Sequence, residues 1–206
     1  MLKPFRVREP TTIEEAASEL AGEETRIYAG GAELVLLLRH GLIEASTLVN
    51  IKGISDLNDL SWDGSHLCVG ATVTHRRLET DPLVNRHLPL LAHAESHIGN
   101  IRVRCQGTLG GNLCFADPHA DPATALLVHD SMVGISGRNK SRELPMEDFL
   151  IGMYETALEP DELLTRVKVP PLPPDWGHGY KRIEQFYRPT VNVAAASKCQ
   201  NGTFEK

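Results

Sequence analysis

The sequence predicts an α+β fold that opens on a compact β–α–β unit and continues into hairpin-rich sheet. Three observations carry this. A capped helix, two short strand-like runs and a glycine-broken helical run alternate over residues 1–53. From residue 54 the texture changes to short strands joined by turn signals, with helical stretches between them. A proline block at residues 170–174 then sets off a last strand-like stretch.

Thr12-x-x-Glu15 is a capping box ahead of Ile13, Ala16, Ala17 and Leu20, so a first helix should run to about Gly22. Arg26-Ile27-Tyr28-Ala29 reads as a strand, broken by Gly30-Gly31. From Ala32 to Arg39 good helix formers follow, with Gly41 as a left-handed terminator. The apolar run 34–38 also suits a buried strand, because periodicity does not arbitrate so short a run. Leu48-Val49-Asn50-Ile51 is the next strand.

Asp63-Gly64 between residues 60–62 and 66–69 signals a hairpin. Thr74 caps a short helix, and residues 83–97 read as one longer helix. Residues 131–136 and 141–144 flank the polar turn GRNK as a second hairpin, and residues 163–169 form a strand stopped by Pro170-Pro171. Beyond the proline linker, residues 180–183 and 191–196 look like strands. Asn201-Gly202 is a type I′ turn signal with only four residues left to form a returning strand. The expectation is a chain that stops inside its last domain. There are no internal repeats.

The bulk composition excludes several classes. The chain has 206 residues, 41% of them hydrophobic and 23% charged, which is ordinary globular composition. A formal charge of −6 argues against nucleic acid, and the short basic stretch at Arg102 and Arg104 reads as a solvated helix end. The longest apolar run, residues 34–38, is far short of a membrane span, and the N-terminus lacks a signal-peptide core. Cys68, Cys105, Cys114 and Cys199 show no C-x-x-C spacing, which leaves a reducing cytoplasm as the default and an iron–sulfur cluster held by this chain improbable.

Two glycine pairs are the candidate binding features. In Ala29-Gly30-Gly31-Ala32-Glu33-Leu34 they lie between strand and helix, where bare backbone can approach an anion. In Thr108-Leu109-Gly110-Gly111-Asn112 adjacent glycines can form an anion-receiving nest, with Thr108 and Asn112 adding side-chain hydrogen bonds. Asp121, nine residues beyond Asn112, suits sugar or ribityl hydroxyls better than phosphate. The plainer alternatives are a tight turn and a glycine bulge beside a capped helix. Neither segment is a P-loop or a GxGxxG fingerprint. Together they suit a ligand with two phosphates and a polyol, as FAD is. His93 and His97 share a helical face, but HExxH fails because Ala94 stands where Glu is needed, so no metal site is expected. No GxSxG elbow exists, and no catalytic acid, base or nucleophile stands out.

These segments resemble the FAD-binding (medium) subunits of molybdenum hydroxylases of the xanthine dehydrogenase and carbon monoxide dehydrogenase type. AGGAELVLLLRHG is similar to that family's AGG loop, and TLGGNLCFADPHADPATALL to its GGN segment with the following A-x-P-x-x-D. Pro4-Phe5, Pro10 and Glu15-Ala16 match its opening. The resemblance implies a two-lobed FAD-binding fold, with a small β–α–β lobe at 1–53 and an antiparallel-sheet lobe at 54–174. Residues 177–206 would then begin a third, truncated α/β domain.

By the same resemblance, residues 29–33 and 108–112 should cradle the pyrophosphate, with Leu34 just behind. Asp121 should accept from FAD hydroxyls, while Leu164 and Lys181 match positions at the isoalloxazine end. Lys181 near the N1–C2=O edge would stabilise reduced flavin. The family often has Thr or Ser where Ala32 stands, so one contact is expected to be missing. The implied partners are a molybdopterin-binding large subunit and a small subunit with two [2Fe–2S] clusters, from which electrons pass through FAD to an external acceptor. The alternatives are a free-standing FAD oxidoreductase of the vanillyl-alcohol oxidase type and a non-catalytic remnant or assembly subunit.

Overall fold

The computed structural model describes residues 3–185, 188–200 and 203–205. Three strands, β1 (Arg6–Arg8), β2 (Thr25–Tyr28) and β3 (Thr47–Asn50), form a parallel sheet in the order β1-β3-β2. Parallel neighbours need crossovers, and α1 (Ile13–Glu19) and α2 (Leu34–His40) supply them. β1 escapes a reading by pattern: it is three exposed residues long and alternates nothing apolar against a core.

The Thr12 hydroxyl accepts from the Glu15 N–H at 3.1 Å, as a capping box requires. The Glu15 carboxylate returns to Thr11 instead of Thr12, accepting from its N–H at 2.8 Å and its hydroxyl at 3.0 Å. α1 stops at Glu19, short of Gly22. The run 34–38 is helical, not strand, and α2 begins at Leu34 instead of Ala32. It ends on Gly41 at φ 68°, the left-handed cap its position predicts.

A five-stranded antiparallel sheet follows, in the order β4-β5-β10-β6-β7: β4 (Leu60–Trp62), β5 (Leu67–Gly70), β6 (Met132–Ser136), β7 (Ser141–Pro145) and β10 (Leu163–Val169). The β4–β5 turn is made by Asp63, whose Oδ1 accepts from the N–H groups of Ser65 at 2.8 Å and His66 at 2.7 Å. Between β5 and β6 run α3 (His75–Thr80), α4 (Pro82–His87), α5 (Pro89–Ser96), α6 (Ile101–Gln106), α7 (Leu109–Phe115) and α8 (Pro122–Val128). The single helix expected over 83–97 is therefore two, α4 and α5. Pro89 carries no N–H and bars its predecessor from helical geometry, and Leu88 sits at φ −134°, ψ 56°.

After β7 come α9 (Met146–Phe149) and a small hairpin of β8 (Leu150–Gly152) with β9 (Glu155–Thr156). β10 ends at Val169, and a third sheet of β11 (Trp176–Gln185), β12 (Arg188–Gln200) and β13 (Thr203–Glu205) begins past the proline block. Its first two strands extend well beyond the expected 180–183 and 191–196. The returning strand pairs with β12 through Lys198 opposite Glu205, while the Asn201-Gly202 turn itself lies outside the described residues.

One buried cluster runs through the molecule, joining Ala16, Ala17 and Val49 of the first sheet region to Leu67, Leu91, Leu113, Phe149 and Val167 of the second. Among the described residues no helix is long and apolar enough to cross a membrane.

The β6–β7 hairpin is fastened to β10 by a buried carboxylate. Both Glu162 oxygens meet Arg142, Oε1 at 3.0 Å from Nε and Oε2 at 2.7 Å from Nη2, and Oε2 also accepts from the Glu159 N–H at 2.9 Å. The Arg142 hydrogen bonds hold the Glu162 carboxyl down at about 2. A depressed carboxylate stabilises the fold above its unfolded pKa and loses that contribution as pH falls through the folded value. Glu162→Gln should therefore lower unfolding free energy by about 2 kcal/mol at neutral pH. Denaturant melts should show the gap to wild type closing on acidification; a gap that stays constant would contradict the assignment.

Candidate functional site

The first glycine segment leaves the end of β2 and turns into α2. Gly31 has φ +72°, and a Cβ there would lie 2.3 Å from the Tyr28 ring, so both conformation and space demand glycine. The Lys52 ammonium stands 4.5 Å over the same Tyr28 ring, which places one positive charge near the segment. Gly30 is required for a different reason. A Cβ on it would fall 2.3 Å from the Gln106 carbonyl oxygen and 2.8 Å from the Gly107 Cα. The backbone of residue 30 thus lies directly on the backbone that leads into the second glycine segment.

That second segment is not a nest. Gly110 and Gly111 occupy the first turn of α7, and neither has positive φ. The local sequence explains the correction. Thr108 is the N-cap, its hydroxyl accepting from the Gly111 N–H at 3.1 Å. The Leu109 and Gly110 N–H groups donate to the carbonyls of Val73 and Ala71, both at 3.0 Å. Gly110 serves packing, since a Cβ there would come within 2.7 Å of the Ala71 carbonyl oxygen. Gly111 is open by comparison: its Cβ position meets the Thr108 hydroxyl at 2.9 Å and the Ala29 Cβ at 4.0 Å.

The two segments, 77 residues apart from Gly30 to Gly107 by sequence number, therefore adjoin in the fold. Among the described residues the N–H groups of Gly31 and Ala32 have no acceptor within the protein. The Asn112 Oδ1 is buried and has no hydrogen-bond partner among those residues. The site thus holds backbone donors beside its first segment and a buried acceptor beside its second.

Asp121 is 4% exposed and precedes α8 without capping it. Tyr180 donates its hydroxyl to Oδ1, and the Arg182 Nη1 reaches Oδ1 at 3.2 Å and Oδ2 at 3.1 Å. Burial, then the Asp121 carboxylate, push the Tyr180 phenol up. Tyr180 also packs against the rings of His93 and His97, at 6.1 Å and 5.7 Å between centroids. Leu164 is buried in β10, opposite Ile135. Lys181 is exposed on β11 between the two Asp121 partners, and its charge lowers the His93 pKa behind the larger effects of burial and His97.

The structure therefore brings Gly30 against Gly107 and Ala29 against Gly111, and it packs β10, which carries Leu164, on α7. Among the described residues no hydrogen bond or ion pair joins Lys181 to either glycine segment. Sequence reasoning missed Gly107, Tyr180 and Arg182; the block Tyr180-Lys181-Arg182 was the one available signal for the last two. Among the described residues no group of three or more His, Cys, Asp or Glu is placed to hold a metal ion.

A parallel lobe and an antiparallel lobe meeting at a glycine junction are the build of a two-lobed flavoprotein. More narrowly, residues 3–172 match the family described as the FAD binding domain in molybdopterin dehydrogenase, and the chain belongs to that family. It is 32% identical over 86% of its length to the nicotine 6-hydroxylase medium subunit of Paenarthrobacter nicotinovorans. It is 33% identical over 82% of its length to the caffeine dehydrogenase subunit beta of Pseudomonas sp. (strain CBB1). The chain spans 63% and 59% of those two relatives. Carbon monoxide dehydrogenase from Hydrogenophaga pseudoflava superimposes with a TM-score of 0.96 at 27% identity, covering 100% of this chain and 73% of that one. FAD is the cofactor of this family.

Removing Asp121 leaves a guanidinium and a phenol without their shared acceptor. Asp121→Ala should destabilise the chain by about 3 kcal/mol, the scale of breaking a buried pair. Thermal melts of the apo-protein check this; an unchanged midpoint would mean that Asp121 does not pin the third sheet.

Proposed function

We propose that this chain carries FAD across its glycine junction and serves as the electron-transfer subunit of a molybdenum hydroxylase complex. In this reading a molybdopterin-binding large subunit hydroxylates the substrate, and a small subunit with [2Fe–2S] clusters delivers electrons to this chain. FAD, when bound, supplies the conversion between single-electron and two-electron transfer, the latter to an external acceptor.

The observation that carries the reading is the seating of Gly30 on residues 106–107 with Gly111 opposite Ala29. Two segments distant in sequence thereby adjoin, and their leftover groups suit the ligand. The N–H groups of Gly31 and Ala32 are donors for a phosphate. The orphaned Asn112 Oδ1 calls for a hydroxyl or N–H donor. Residues 29–33 and 108–112 line the pyrophosphate cradle, with the phosphate donors in the first segment, the second closing it beside Ala29, and Leu34 behind it as the first residue of α2. Ala32 supplies only its backbone.

Asp121 takes the ribityl or ribose side. A carboxylate offers about four acceptor sites, and Tyr180 and Arg182 occupy three of them, leaving one lone pair on Oδ2 for a hydroxyl. Leu164, whose side chain is buried, meets the ring system through its backbone, and Lys181 provides the cation at its pyrimidine edge. The chain's contribution is placement and electrostatics, and no residue is assigned as acid, base or nucleophile.

The test is a flavin spectrum. The purified chain mixed with FAD and passed through a desalting column should retain the visible flavin bands, and molybdenum and iron–sulfur subunits should co-purify with it from the native host. Gly111→Val should abolish retention by filling the open side of the cradle while leaving circular dichroism unchanged. A full flavin complement in Gly111→Val would sink the pocket as drawn.

A further inference from the structure

Behind the glycine junction lies a buried titratable pair that the reading above does not use. His75, the first residue of α3, has its Nδ1 2.7 Å from the Glu95 Oε2 of α5, with side chains 3% and 0% exposed. The His75 N–H donates to the Gly107 carbonyl at 3.1 Å. Its ring lies flush on the same glycine: a Cβ on Gly107 would sit 2.9 Å from the His75 Cδ2 and 3.3 Å from its Nε2. The Gly107 Cα is in turn 2.8 Å from where a Gly30 Cβ would be. Glu95, His75, Gly107 and Gly30 therefore form one unbroken line of contact from the helical core to the first glycine segment.

We propose that His75, gripped by Glu95, is the positioning residue of this junction, setting the separation of the two glycine segments that FAD would meet. The inference rests on the FAD reading and extends it to residues that need not touch the ligand. Packing alone does not account for the pair. The Glu95 Oε1 is buried with no partner among the described residues, which costs stability that an apolar pair of similar volume would not. What the pair adds is direction: with Nδ1 committed to Glu95, the ring cannot rotate, and its Nε2 edge stays against Gly107.

The pair also carries charge beneath a site meant for an anion. Burial pushes the Glu95 carboxyl up, His75 opposes this, and Asp121 and Glu79 add to it. Those two neighbours are themselves paired, Asp121 with Tyr180 and Arg182, and Glu79 with Arg76 and Arg104 at 2.9 Å each. A carboxyl with a raised pKa favours the fold at low pH and ceases to do so as pH rises through the folded value. Above that value the Glu95 carboxylate adds one negative charge under the cradle, and binding of a diphosphate weakens.

The experiment is FAD titration of the 206-residue chain by flavin fluorescence, from about pH 5.5 to about pH 8.5, alongside apo-protein melts. Wild-type affinity should fall severalfold across that range. His75→Phe and Glu95→Ala should bind FAD about tenfold more weakly or worse. Glu95→Gln, which keeps an acceptor for Nδ1–H without the charge, should stay within about threefold of wild type at low pH and lose the pH dependence. The proposal is overturned if His75→Phe and Glu95→Ala bind like wild type, or if Glu95→Gln binds as poorly as Glu95→Ala. Should the first two variants fail to fold, the flat profile of Glu95→Gln decides, and a profile as steep as wild type overturns the proposal. A wild-type chain that binds no FAD at any pH would instead overturn the reading of function, and this inference with it.

Discussion

Backbone pressed on backbone at Gly30 and residues 106–107 is the constraint on which the site depends. Side chains normally hold main chains apart, and only a residue without Cβ lets two of them come this close. Everything nearby is arranged to hold that approach. β2 delivers Gly30 from one side, and its turn into α2 needs the left-handed Gly31 packed on Tyr28. On the other side, residues 107–110 are strapped along 71–75 by main-chain hydrogen bonds from His75, Leu109 and Gly110, and a Thr74–Thr108 bridge. The second glycine segment is thereby a rigid helix start.

The polar interior is concentrated around the same region. Glu95 with His75 and Asp121 with Tyr180 and Arg182 are both buried, and the Asp121 charge is felt at Glu95. Buried charge is costly unless paired, so each carboxylate constrains the elements that supply its partners. Glu95 ties α5 to α3, whereas Asp121 ties the start of α8 to β11. The third sheet is further held by Asn192 of β12, whose Nδ2 donates to the Ala120 carbonyl at 3.0 Å. Glu162 is a contrast: equally buried, but joined to Arg142 at the distant edge of the antiparallel sheet, where its role is structural.

Much of this was legible as local chemistry. Thr12 and Thr74 cap helices because a threonine hydroxyl before a helical run meets an unpaired N–H. Asp63-Gly64 makes its turn, and Gly41 ends its helix. Gly31, Gly111 and Asn112 stood out by composition, and each has an unusual environment in the fold. Where local signals conflicted, the reading went astray: Pro89 divides what apolar spacing presents as one helix, and the glycine pair after Thr108 follows its cap into a helix instead of curling into a nest.

By itself, then, the sequence determined the alternating elements, their caps and turns, the two glycine segments and the family to which they belong. These are set by contacts within a few residues, or by motif order along the chain. The meeting of Gly30 with Gly107, the capture of Asp121 by Tyr180 and Arg182, and the seating of His75 on Gly107 were decided only by tertiary structure. Each joins residues brought together by the stacking of whole elements, at separations over which spacing along the chain carries no information about proximity in space.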